Sequence, residues 1–123
     1  MSATDAPLNG DALLDAVTDA MVALHARYHH REPLSAKSML MSGELLACVM
    51  GGVYTDVEKT MIELERKALV HETRSAFQQA MEQRFIVAVQ GITGRRVAKF
   101  ISTHHVGPDL ELEIFVMETP IRV

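Results

Sequence analysis

From Asp11 the chain repeats apolar residues with the period of a helix. Leu14, Val17, Met21, Leu24 and Tyr28 recur three and four residues apart, which aligns them as one apolar stripe. Asp11, Asp15 and Asp19 crowd the first half, and His25, Arg27, His29 and His30 crowd the end. That order of charge complements the helix dipole. Pro33 predicts the stop, because the residue before proline is pushed out of the helical region. Two short apolar runs come next, Ser38–Met41 and Glu44–Met50, around Ser42-Gly43. They predict a β-hairpin. Leu45 to Met50 is apolar on both faces and reads as a central, covered strand, which Gly51-Gly52 breaks.

Thr55-Asp56-Val57-Glu58 fits a capping box, in which the Thr55 hydroxyl and the Glu58 carboxylate each accept from the other residue's amide. A helix is predicted from Asp56 to about Leu64, with a bend or break at Glu65-Arg66-Lys67. The helical pattern resumes through Leu69, Thr73, Phe77, Met81, Phe85, Val89 and Ile92, and Gly94 is the natural terminator. The last segment alternates. Val97 to Ile101 starts one strand, His105-Val106-Gly107-Pro108-Asp109 makes a turn, and a second strand completes the pair. On it Leu110, Leu112, Ile114 and Val116 share one face, and Glu111 and Glu113 lie on the other. Residues 1–9, with Pro7 and Asn9, read as a short disordered leader before a single α+β domain over residues 10–123. The order is α-β-β-α-α-β-β. The two hairpins should form a mainly antiparallel sheet with helices over one face.

Composition narrows the class of function. Aromatic residues make up 5% of the 123 residues and Trp is absent, so the core must be aliphatic and draw on eight Met. Met suits irregular cores and adaptable contact surfaces. A net charge of −4 argues against binding nucleic acid or anionic lipid through a broad basic face. Cys48 stands alone, which excludes an intramolecular disulfide and points to a reducing, cytoplasmic setting. No apolar run approaches the roughly 20 residues that cross a bilayer. The N-terminus is polar and acidic, unlike a secretory signal.

The chemistry-bearing residues form no familiar constellation. His25 and His29 are one helical turn apart, but no further ligand lies at a supporting spacing, so an exposed, dipole-complementing helix end is expected there and no metal. Ser102 and His104 share a strand face, and Cys48 could approach His71, yet neither pair sits in a nucleophile motif; no enzyme activity and no cofactor are expected. Gly91-Ile92-Thr93-Gly94 with Arg95, Arg96 and Lys99 looks like the loop of a KH domain, but that loop joins two helices, and a helix terminator fits better here. Arg74 lies beside the apolar stripe of the long helix, so it should be partly buried and held by Glu58 or Glu113. As an anion contact, its companions would be Arg31, Arg95 and Arg96.

The run Tyr54-Thr55-Asp56-Val57-Glu58-Lys59-Thr60, then Leu69-Val70, Arg74, Phe77 and Phe85, then Gly91 to Val97, then Phe100-Ile101-Ser102, then Glu113 to Met117, resembles the MpsC family. The resemblance covers roughly residues 14 to 118. It implies a role in a sodium-translocating, membrane-potential-generating system, or in inorganic-carbon handling, with the membrane part supplied by other proteins. Family members resemble Gly-basic-Gly-Pro after the first helix, whereas this chain has His30-Arg31-Glu32-Pro33. The expectation is therefore a non-enzymatic accessory or regulatory module, cytoplasmic and homodimeric, not inserted in a membrane and without nucleic acid. A small-molecule or anion sensor is the alternative, and a KH-like RNA binder a weaker one.

Overall fold

Leu13, Val17, Met21 and His25 recur every four residues and form the buried line of the first helix, α1 (Gly10–His29). Leu14 and Leu24 only flank that line, and Tyr28 is exposed, so the burial axis lies one residue from the predicted stripe. The computed structural model describes residues 10–121. The predicted leader, residues 1–9, lies outside them.

After α1 come strands β1 (Ser35–Ser42) and β2 (Leu45–Gly51), helices α2 (Asp56–Glu63) and α3 (Lys67–Thr93), and strands β3 (Val97–His105) and β4 (Leu110–Met117). This is the predicted order, in one α+β domain. The strands form one antiparallel sheet in the order β1-β2-β4-β3, with β2 and β4 inside. The Thr55 capping box is present with both hydrogen bonds, and it starts α2. The break before α3 centres on Glu65, whose φ of 61° no helix tolerates. Gly94 ends α3 in the left-handed conformation, with its amide donating to the Gln90 carbonyl. The next element is the strand β3, so this glycine loop does not join two helices as a KH loop does.

α1 and α3 cover one side of the sheet. Met81, Phe85 and Val89 of α3 pack with Leu46, Cys48 and Met50 of β2 and with Phe115 and Met117 of β4. Further toward the N-terminus of α3 the buried line is Val70, Arg74 and Gln78. The predicted Leu69–Thr73–Phe77 line is displaced by one residue, and Leu69 is exposed. The helices take the acidic side of β4. Glu111, Glu113, Phe115 and Met117 are buried beneath them, while Leu112, Ile114 and Val116 face the open side.

Candidate functional site

The alternation of β4 places Glu111 and Glu113 two residues apart on the covered side. The helical period of α3 places Arg74 and Gln78 one turn apart above them. α1 contributes His25, and the first turn of α2 contributes Glu58. Arg74 is only 1% exposed, and its guanidinium is held on two sides. Nε donates to Glu58 Oε2 at 2.7 Å and Nη2 to Glu58 Oε1 at 3.1 Å, while Nη1 donates to Glu111 Oε1 at 2.5 Å. Its remaining face lies over the Tyr54 ring, 4.7 Å from the centroid. Arg74 was expected to be partly buried beside Glu58 or Glu113. Glu58 is one partner, Glu111 is the other, and burial is complete.

Tyr54 is itself fixed from several directions. Its amide donates to Asp109 Oδ2 at 2.7 Å, its hydroxyl accepts from the Gly107 amide at 2.9 Å, and Arg31 Nη1 donates to its carbonyl. Glu58 is positioned by the capping box, so one carboxylate both starts α2 and holds Arg74.

Glu58 and Glu111 therefore hold one guanidinium, and Glu113 stands two residues from Glu111 on the same side of β4, with all three carboxyl groups buried. Full ionisation would bury two uncompensated negative charges, which is costly. Burial accordingly pushes Glu111 up to about 7, against the pull of Arg74 and with the push of Glu58. Burial pushes Glu113 up to about 8; Ser102 beside it opposes the rise, Glu111 adds to it, and Gln78 opposes it in turn. The Ser102 hydroxyl and the Gln78 amide lie beside its carboxyl as hydrogen-bonding neighbours at the edge of bonding geometry. His25, whose Nε2 lies 3.7 Å from Glu111 Oε2, is lowered to about 4 by burial, then by His29 and Arg74. It is neutral at neutral pH, so the expected exposed, charged helix end fails at this residue. Burial lowers His29 as well, and His104 by burial and then by His71.

A hydrogen-bonded line runs outward from this cluster. Gln78 Oε1 lies 3.0 Å from His104 Nδ1, and His104 Nε2 lies 2.8 Å from Nδ1 of the exposed His71.

The four arginines singled out in the sequence are divided by the fold. Arg31 and Arg74 meet at Tyr54. Arg95 and Arg96 come after α3, some 20 residues and about 30 Å from Arg74 along the helix. Arg95 donates there to Thr119 Oγ1, and Arg96 is exposed. His25 and His29 stack at 4.2 Å, but no group of three metal-ligating side chains occurs among the described residues. Cys48 faces Glu113 across the ladder, and burial raises its thiol to about 11, which removes it as a nucleophile at neutral pH. Sequence reasoning missed Gln78 and Glu111, and it read His25 as part of an exposed helix end. The one available signal was an acid at alternate positions of a strand that is otherwise aliphatic.

Fold and cluster together define a small α+β domain with an ionisable centre inside its core. The chain belongs to the family described as Na+-translocating membrane potential-generating system (MpsC), which matches residues 11–119. No curated protein and no solved structure matches it.

Proposed function

We propose that the chain is a non-enzymatic accessory or regulatory module of a membrane-potential-generating system, working in the cytoplasm as a homodimer. The family description supplies the process. Among the described residues no helix is long and apolar enough to cross a membrane, so on this reading other proteins carry the ion across.

The observation that carries the pairing is the open side of the sheet. Its central row is Met39, Ala47, Ile114 and Ile101, one residue from each strand. Val49 and Leu112 lie on one flank, and Leu45 and Val116 on the other. Ile101 is 41% exposed and Met41, near the edge, 63%. At ordinary strand spacing this face spans about 450 Å² in projection, a size at which apolar patches mark contact surfaces. The occupant proposed is a second copy. Lys37 and Lys99 stand at diagonally opposite corners and leave the centre apolar, the core-and-rim arrangement of a self-complementary interface.

Light scattering should report twice the 13.6 kDa chain mass, and Ile114→Lys should report a monomer with a normal melt. A wild-type chain that stays monomeric at high concentration removes the pairing. Cells lacking the protein should lose sodium-dependent membrane potential, and wild type but not Ile114→Lys should restore it. An unchanged potential overturns the accessory role.

A further inference from the structure

We propose that His71 of α3 and His104 of β3 together bind a divalent transition-metal ion of the imidazole-preferring kind: copper, nickel or zinc. The pair joins two elements across 33 residues of sequence, with His104 Nε2 2.8 Å from His71 Nδ1. Two nitrogens held about 2.0 Å from one ion lie roughly 2.8 Å apart at a right angle and roughly 3.3 Å apart at a tetrahedral one. The folded pair already has the first separation, and a small turn of the exposed His71 ring reaches the second. The ring centres are 4.2 Å apart, with their planes inclined by 51°. A hydrogen bond along both ring axes would set the centres roughly 5 Å apart. The two rings therefore lean toward one another, as imidazoles sharing an ion do.

The group behind the pair is the second observation. His104 Nδ1 lies 3.0 Å from Gln78 Oε1. An amide oxygen only accepts, so His104 Nδ1 carries the ring proton, and Nε2 keeps its lone pair on the side of His71. Gln78 is held that way round because its amide nitrogen faces the Glu113 carboxyl. An imidazole that ligates a metal characteristically donates its other N–H to such a partner. Gln78 is buried, so His104 is oriented before any ion arrives. Without metal, His71 Nδ1 donates to His104 Nε2. With metal, that proton moves to Nε2 of the exposed His71 ring. Both facing nitrogens then become ligands with no net change in protonation.

His25 and His29 show the contrast. Their rings stack with an interplanar angle of 22°, so they present faces to one another and not nitrogens. At His71 and His104 the nitrogens meet. A third His, Cys, Asp or Glu is not within reach among the described residues, so the ion's remaining positions fall to water or to an incoming ligand. The site is independent of pairing through the open sheet face. His104 stands opposite Glu111 in the β3–β4 ladder, on the side that the helices cover.

The test is titration of the full chain with copper(II) alone, read by electron paramagnetic resonance. One ion per chain is expected, with a spectrum of two equatorial nitrogens. His71→Ala and His104→Ala should each weaken binding at least ~10-fold and leave the spectrum of a single nitrogen. Gln78→Leu, which removes no ligand, should also weaken binding about 10-fold through lost orientation of His104. His105→Ala, beside the site but on the opposite strand face, should change nothing. Circular dichroism confirms that each variant is folded, and His71→Ala, at an exposed position, carries the test where a buried substitution unfolds the chain. Absence of binding, an unchanged spectrum in His71→Ala, or equal weakening by His105→Ala each overturns the proposal. Wild-type affinity in a folded Gln78→Leu overturns the prearranged site and leaves a chance pair of histidines. Competition by excess magnesium overturns the ligand class.

Discussion

The two halves of α3 pack on the same sheet by different physics. The C-terminal half buries Met81, Phe85 and Val89 against Leu46, Phe115 and Met117. Phe100 bridges Phe85 and Phe115, at 6.0 and 5.1 Å between centroids. The N-terminal half buries Arg74 and Gln78 against Glu111, Glu113 and His25. The first region needs only volume and shape. The second needs partners, because each buried polar group that loses one becomes a liability. The fold accepts the second arrangement by keeping protons on its acids and charge on one matched pair.

The sharpest test of that contrast is substitution at each end. Phe85→Ala should destabilise by about 3–5 kcal/mol through the cavity it leaves. Arg74→Met should cost a similar ~3–5 kcal/mol, because it strands the Glu58 carboxylate. The two differ in what repairs them. Glu58→Gln on top of Arg74→Met should recover much of the loss, whereas on top of Phe85→Ala it should only add to it. Urea unfolding of these four variants and of Glu58→Gln alone measures this, and strict additivity in both pairs would erase the distinction.

Proton linkage comes next in size. Glu111 and Glu113 titrate higher in the folded chain than in the unfolded one, so between the two values the folded state holds the extra protons. Their contribution is complete at low pH and is lost as pH rises through about 7 and about 8. His25 works oppositely below its ordinary 6.5, where the unfolded chain takes up a proton that the folded one refuses down to about 4. Above 6.5 only the acids act. Stability should therefore fall by roughly 2 kcal/mol between about pH 6.5 and 8.5. Melting curves of Glu113→Gln should show a shallower fall, and those of Phe85→Leu an unchanged one. A pH-independent wild-type melt would mean that these acids are ionised in the folded chain.

Smaller effects separate the cap from the ion pair. Thr55→Ala should cost about 1 kcal/mol, the value of one helix cap. Glu58→Ala should cost more, because it removes the carboxylate half of the capping box and also strands Arg74. Chemical denaturation that ranks Thr55→Ala above Glu58→Ala would detach the capping box from the cluster.

The smallest effect lies at the loop after α1. His30 has a φ of 61°, a conformation that suits glycine. His30→Gly should stabilise by up to about 1 kcal/mol, because the left-handed strain it relieves is partly offset by the flexibility of glycine. A lower melting temperature would show that the His30 side chain makes a contact worth more than the strain.

Element order, the capping box, the break at Glu65 and the stop at Gly94 were legible because each is a local signal. Burial inside each element was less so. In α3, Leu69 and Val70 are adjacent and both apolar, so the pattern favoured the line through Phe77, while the ion pair of Arg74 turns the helix one residue further. In β4 the alternation marked two faces but could not say which one the helices would take. Hydrophobicity alone gives the aliphatic face to the core, yet Arg74 and His25 arrive from elements distant in sequence and accommodate the acids. His25 looked like part of a charged helix end for the same reason, since its neutrality is made by its neighbours.

One consequence concerns motion. The one buried residue of α2 is Glu58, and Val57 and Leu64 at its two ends are exposed. This helix is fastened to the body by a charge where most helices use an apolar stripe. An apolar stripe loosens gradually as its surface is uncovered, but a carboxylate gripped by a guanidinium lets go in one step. α2 should therefore open and close as a unit while the core stays shut, at a frequency governed by the proton occupancy of Glu111, which shares the same arginine.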